Sequence, residues 1–473
     1  MIAAVCWVPK GVAKALPDET PRSREELDEA LQQGLEEDPA EQSAENEESE
    51  DEDGMRVEGD DISTALAAAR ALKSSGAASA VSDGLAELNM DAYDDENEDI
   101  RVFGNGGVSA AYYQHGEKDP YLVDDDDEDE EEIEDKTIKP TDLLIVTAKT
   151  EDEVGILEVY IYEENDDNKY VHHEVLLSSI PFSLAWLDCN VNGGDKGNFL
   201  AVGTSEPEIE IWDLDLATEV KPVGVLNPDP SKKKKTKSKR KQKTAVLGLA
   251  WNYEYRNVLA SGSADKAVRV WDVVAQKCEH TLKSHAAEVQ SIAWNPKEPT
   301  ALLSGSYDCS VVLTDMRTPA EAGLRWTVSN DVECVAWNPH VSHSFSVGTE
   351  EGYVYGFDVR TATKEGPNAS IFTLHAHQKA TCAVSYNSAA QNLLATASLD
   401  KTVKLWDVTN DTPTLVARTS PEVGGIFSAS FCKDSPFLMA IGGTTGELHV
   451  WNTLTDSNVA NRFTSTNANQ VAF

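Results

Sequence analysis

The chain has 473 residues, with 82 acidic against 40 basic side chains, a formal net charge of −42 and 40% hydrophobic residues. That length allows one large or two to three ordinary domains, and the modest hydrophobic content says that a packed part is diluted by something polar. No apolar run approaches the roughly 20 residues that span a bilayer, and the seven scattered cysteines (Cys6, Cys189, Cys278, Cys309, Cys334, Cys382, Cys432) form no C-x-x-C pair, which argues against a disulfide framework or a zinc site.

The first segment, MIAAVCWVPKG at 1–11, lacks the basic start and long apolar stretch of a secretory signal, so an intracellular setting is expected. Residues 1–140 then hold 41 Asp and Glu against 11 Lys and Arg, about −30 of the total charge. Runs such as DDDDEDEEEIED at 124–135 repel themselves and cannot bury enough apolar surface to fold. Residues 12–140 therefore read as an acidic insertion, largely disordered from about 18 to 138. Two stretches within it, ISTALAAARALKSS (62–75) and DGLAELNMDAY (83–93), have near-helical apolar spacing. A third, AAYYQHGEKDPYLV (110–123), carries Tyr112, Tyr113 and Tyr121, an aromatic island suited to a partner or to docking back on the folded part. Ser49, in SEDED, has the acidic context favoured by a casein-kinase-2-like enzyme and is expected to be phosphorylated.

Beyond the insertion the chain repeats itself. The phrase SLAWLD (Trp186) returns as GLAWNY (Trp251), SIAWNP (Trp294) and CVAWNP (Trp337), then more weakly as AVSYNS (Tyr386) and SASFCK (Phe431), at spacings of 65, 43, 43, 49 and 45. A second phrase keeps the same time: IEIWDL (Trp212), VRVWDV (Trp271), VVLTDM (Thr314), VYGFDV (Phe357), VKLWDV (Trp406) and LHVWNT (Trp451). Short alternating strands with Gly, Ser and Asp turns lie between them. Six copies span 180–460, and a seventh is split: AAVCWVPKG at 3–11 matches the first phrase, and DLLIVTAKTEDEVGILEVYIYE at 142–163 matches the strand pair that ends in the second.

A period near 43 residues closed by W-D resembles the WD40 repeat, one four-stranded propeller blade per copy. With the tryptophan recurring in the first strand and the acidic and basic insertions, the chain is similar to the periodic tryptophan protein 1 group of that family. The expectation is an all-β, seven-bladed propeller. Blade one takes its inner strand from residues 1–11, and the remainder of the ring fills 141–465, with a basic loop at 228–244 and a tail at 466–473.

The resemblance implies a buried hydrogen-bonded relay of His, Ser or Thr, Asp and Trp, which maps onto His377, Thr396, Asp400 and Trp406. Blade four has His285, Ser304 and Asp308 but Thr314 in place of Trp, and blade three has Ser261, Asp265 and Trp271 without the His. A Ser, His and Asp set also suggests nucleophilic catalysis, but repetition at blade spacing points to structure. HVSH (His340, His343) and HAH (His375, His377) have metal-ligand spacing without a third partner and are expected in inter-blade loops. No phosphate-cradling motif occurs. No enzyme, cofactor, metal or small-molecule substrate is expected.

The knot SKKKKTKSKRKQKT at 231–244 places Lys232, Lys233, Lys234, Lys235, Lys237, Lys239, Arg240, Lys241 and Lys243 between blades two and three. It reads as a nuclear-localisation signal or an RNA phosphate contact. Glu288 and Asp331 are candidate partner contacts on the face that bears the inter-blade loops. The resemblance implies a non-catalytic scaffold in ribosome production, in the nucleus and nucleolus. Its partners would be proteins of the large-subunit precursor, and its basic loop would reach rRNA. The alternatives are a histone-binding chromatin protein regulating transcription and, from TDMR (314–317) and FDVR (357–360), a ubiquitin-ligase receptor.

Overall fold

The computed structural model describes residues 1–17, 137–191, 196–216, 221–228, 244–321, 323–362, 369–410 and 412–464. No helix among them is long and apolar enough to cross a membrane. Among the described residues twenty-seven strands form seven antiparallel sheets, each a meander in sequence order.

Blade one comprises β1 (Ile2–Val8), β2 (Leu143–Glu151), β3 (Val154–Glu163) and β4 (Asn168–Leu177). Blade two comprises β5 (Pro181–Leu187), β6 (Phe199–Thr204), β7 (Ile209–Asp213) and β8 (Gly224–Leu226). Blade three follows with β9 (Val246–Trp251), β10 (Val258–Ser263), β11 (Val268–Asp272) and β12 (Lys277–Leu282). Blade four has β13 (Val289–Trp294), β14 (Ala301–Ser306), β15 (Ser310–Asp315) and β16 (Leu324–Thr327). Blade five has β17 (Val332–Trp337), β18 (Ser344–Thr349), β19 (Tyr353–Asp358) and β20 (Phe372–His375). In blade six these are β21 (Thr381–Tyr386), β22 (Leu393–Ser398), β23 (Val403–Asp407) and β24 (Thr414–Thr419). Blade seven has, among the described residues, β25 (Ile426–Phe431), β26 (Leu438–Gly443) and β27 (Leu448–Asn452). Helical turns from Thr453 to Thr464 follow, burying Val459 and Phe463 against blades six and seven.

The turns explain why each phrase folds as it does. After the second strand, Lys266, Cys309 and Lys401 take positive φ (73°, 58° and 69°) where Gly352 and Gly446 stand in blades five and seven. The preceding Asp makes this tolerable for a side-chain-bearing residue, because its carboxylate accepts the next backbone N–H: Asp265 from Ala267, Asp308 from Ser310, Asp400 from Thr402. Second strands are buried along nearly their whole length, as in β6, β22 and β26, whereas outermost strands such as β12 are mostly exposed.

Each inner strand adjoins the next, and β1 adjoins both β5 and β25, so the N-terminal strand closes the ring. It pairs with β2, with Trp7 opposite Ile145. On its other side Val5 N–H donates to Ser428 Oγ (3.1 Å) and Trp7 Nε1 to the Ser430 carbonyl (3.1 Å) of blade seven. Gly442 makes room for this approach: a Cβ there would lie 2.5 Å from Ile2 Cγ2.

Candidate functional site

The meander puts the starts of first and third strands, and the ends of second and fourth, on one face. This connector face carries the links between blades. His377 sits in one such link, after β20, and is 1% exposed. Its Nε2 lies 2.8 Å from Thr396 Oγ1 on β22 and its Nδ1 3.0 Å from Asp400 Oδ2. Trp406 Nε1, on β23, donates to the same Thr396 hydroxyl at 2.9 Å. In blade four His285 meets Ser304 at 2.8 Å and Asp308 at 3.1 Å, but Thr314 supplies no indole and Ser304 Oγ donates to the Val312 carbonyl. In blade three Trp271 Nε1 donates to Ser261 Oγ at 2.8 Å, while Asp265 pairs with Arg269.

Burial pushes His377 and His285 below the ordinary histidine range, against the pull of Asp400 and Asp308. Burial raises the Asp400 carboxyl, but hydrogen bonds from Thr402 and Gln378 and the neighbouring His377 outweigh it and hold it low. Ser304 and Thr396 are 2% and 0% exposed, so neither hydroxyl meets a substrate from solution. The relay ties strands together.

Blades one and two solve the same problem with a buried carboxylate. Glu158 on β3 accepts from Lys149 Nζ (2.8 Å), Tyr160 OH (2.9 Å) and Thr147 Oγ1 (3.3 Å). Glu210 on β7 accepts from Trp212 Nε1 (3.1 Å) and from Ser178. Neither residue was expected from sequence. The available signal was a Glu two positions before Tyr160 or Trp212, which strand alternation places on the buried face.

The first phrase latches neighbouring blades in both directions, through its Trp at two blades and its Asn at three. Trp294 Nε1 donates back to the Ala250 carbonyl of blade three (3.0 Å), and Trp337 Nε1 to Ala293 of blade four (3.1 Å). The asparagine reaches forward: Asn252 Nδ2 to Pro299, Asn295 Nδ2 to Ser342 and Asn387 Nδ2 to Pro436, all at 2.6–2.7 Å.

Of the candidate partner contacts, Glu288 and Asp331 stand just before β13 and β17, where blades begin on the connector face. Their carbonyls accept the N–H of Tyr307 and Glu350. Asp331 Oδ1 also accepts a long contact from Cys309 Sγ at 3.5 Å. The structure adds Glu333, which accepts from Tyr307 OH at 3.3 Å. Burial raises its carboxyl and the hydrogen bond from Tyr307 opposes this, while the Glu350 and Asp331 carboxylates raise it further. Blades four and five thus present a cluster of acid at the start of their inner strands.

His340 and His343, expected between blades, lie instead in the β17–β18 turn within blade five. The first-phrase N-P opens a turn inside the blade, and His340 Nε2 faces the Asn387 carbonyl at 3.0 Å. His375 packs against Tyr353 with ring centroids 4.6 Å apart. Among the described residues no group of three or more His, Cys, Asp or Glu converges as a metal site. Ser49, Tyr112, Tyr113, Tyr121 and the basic residues from Lys232 to Lys243 lie outside the described residues. The strands flanking the basic segment, β8 and β9, end and begin on the connector face, and β1 and β2 flank the acidic segment on the opposite one.

Comparison with known proteins bears on the whole chain. The family described as WD domain, G-beta repeat matches residues 233–272, 276–315 and 368–407. A chain in a crystal structure of the mitotic checkpoint complex shares the fold, with a TM-score of 0.51 and 19% identity over 65% of this chain and 83% of that one. A WD repeat-containing protein of Schizosaccharomyces pombe is 36% identical over 98% of this chain and 91% of its own length. Periodic tryptophan protein 1 of Saccharomyces cerevisiae is 31% identical over 98% of this chain and 90% of its own. Its Drosophila melanogaster homologue is 30% identical over 93% and 91%. With a seven-bladed ring latched by its recurrent tryptophans and relatives matched from end to end, the chain belongs to the periodic tryptophan protein 1 family of WD-repeat proteins.

Proposed function

We propose that this WD-repeat scaffold works in ribosome production, in the nucleus and nucleolus, holding proteins of the large-subunit precursor. The observation that carries the reading is membership of the periodic tryptophan protein 1 family over nearly the whole chain. The site chemistry supports a binding role: the polar clusters within the blades are buried and serve strand-to-strand bonding, while the connector face offers acid from Glu288, Asp331, Glu333 and Glu350. A local cluster of acid on a rigid support suits a basic segment of a partner, and ribosomal proteins and histones both supply such segments. The lysine knot from Lys232 to Lys243, in the segment between β8 and β9, serves nuclear import or contacts rRNA phosphates.

Affinity purification of the full chain with and without RNase tests the reading. Large-subunit precursor proteins are expected to co-purify. A profile of histones that is insensitive to RNase and contains no precursor proteins would overturn it in favour of the chromatin reading. Neutralising Lys232–Lys235 and Lys239–Lys241 is expected to reduce nuclear import or precursor association, and leaving both unchanged removes the role given to the knot.

A further inference from the structure

Five hydroxyl residues of the chain stand directly before a proline: Thr20, Thr318, Thr412, Ser420 and Ser435. Proline has no backbone N–H and holds the residue before it extended. That pair of properties is what a proline-directed protein kinase reads beside the hydroxyl it modifies. Thr20 lies outside the described residues, and the fold sorts the other four.

Ser435 is committed to the structure. Its Oγ donates to Glu164 at 2.6 Å, and the Pro436 carbonyl accepts Asn387 Nδ2 from blade six at 2.6 Å. Ser420 directly follows β24, and the proline that a kinase must grip, Pro421, is buried. Thr412 is exposed, but the second and third residues after it, Thr414 and Leu415, are already paired with Asp407 and Trp406 in the sheet. Thr318 has none of these restraints. The turn between β15 and β16 leaves residues 316–323 outside any strand. Arg317, Thr318 and Ala320 are exposed, and the Thr318 hydroxyl makes no hydrogen bond among the described residues. Two main-chain bonds shape the turn, from Thr318 N–H to the Asp315 carbonyl and from Glu321 N–H to the Thr318 carbonyl, both at 3.0 Å. Such solvent-exposed turn bonds open at little cost.

We propose that Thr318 is a phosphorylation site for a proline-directed protein kinase. Its Oγ attacks the γ-phosphorus of ATP, the bond to the β–γ bridging oxygen breaks and ADP leaves. The hydroxyl proton passes to the catalytic carboxylate of the kinase. The product changes the charge of the turn. In the unmodified chain Arg317 holds Asp315 through Nε and Nη2 at 2.6–3.0 Å, a neutral pair. A phosphate adds about −1.5 to −2 charge one residue away, so one guanidinium then serves two anions. The turn lies on the face opposite the connector face, and phosphorylation makes this part of blade four repel anionic partners.

The test incubates the full chain, and synthetic peptides spanning Thr318, Thr412, Ser420 and Ser435, with a mitogen-activated protein kinase and ATP. Initial rates are read by phosphopeptide mass spectrometry. The rate at Thr318 relative to the other three is expected to be at least about tenfold higher in the folded chain than among the peptides. An equal ratio overturns the proposal, and so does a folded chain unlabelled at Thr318, whatever the peptide does. Thr318→Ala replaces an exposed side chain and keeps the fold; phosphate persisting on the same turn in this variant overturns it too. The chain isolated from dividing cells is expected to carry phosphate at Thr318, and a phosphopeptide map that covers the turn without it refutes the assignment.

Discussion

His377 shows how much one residue of the relay is asked to do. It bridges Thr396 and Asp400 while nearly removed from solvent, and burial holds its pKa below the ordinary value. In the pH range between that lowered pKa and the unfolded value of about 6.5, the unfolded chain takes up a proton that the folded chain refuses. The stabilisation is therefore complete above pH ~6.5 and is lost as pH falls through that value toward the folded pKa. His285, His449 and His173, the last pushed down to about 4, lean the same way. His377→Gln keeps a neutral hydrogen-bonding group. It is expected to lower stability at pH 7.5 by about 1–2 kcal/mol and to flatten the loss between pH 7 and 5. Urea midpoints measured across that range check both parts, and an undiminished slope in the variant would refute the role given to His377. The carboxylate partner acts elsewhere on the scale: Asp400 is held low, so its contribution disappears only in acid, below its ordinary value.

At the scale of the strand and turn, the W-N phrase carries information in both its letters. Asn295 donates to Ser342 of the next blade, while its Oδ1 accepts the turn N–H groups of Lys297 and Glu298. Asn295→Ala breaks three bonds at a position only 3% exposed. It should cost about 2–3 kcal/mol, measured as a shift in urea midpoint. A substitution at exposed Lys283, in the link between β12 and β13, should stay within about 0.5 kcal/mol.

The architecture was legible because such phrases are obligatory: a left-handed turn needs its Asp or Gly, and a seam needs its ring, so both recur at the blade period. What escaped were features without a period. Glu158 and Glu210 replace the relay once each, and the acid at Glu333 comes from a residue that reads as ordinary strand polarity. Thr314, visible in the sequence as a broken relay, is buried opposite Leu302. Blade seven departs for another reason: among the described residues the chain after β27 turns into helical packing on blade six, where Val459 and Phe463 are buried.

For the molecule as a whole, the decisive fact is that its ring is joined by its first strand. Deleting residues 1–8 removes β1 and with it the bonds from Val5 and Trp7 to blade seven. Deleting residues 30–110 shortens the connection between β1 and β2, and closure entropy depends so weakly on length that the change is about 1 kcal/mol. The first deletion is expected to lower the thermal midpoint by at least about 10 °C and the second to move it by no more than about 4 °C. Equal midpoints would refute the closure. The same topology sets a timetable. Val5 finds Ser428 across 423 residues, and at about 5–20 residues per second translation takes roughly 20–85 s to produce them. The strand that leaves the ribosome first is thus the last to gain its second neighbour. Every chain halted before blade seven is complete carries that strand with one side unmet, which makes the final blade the checkpoint between a nascent open arc and a closed protein.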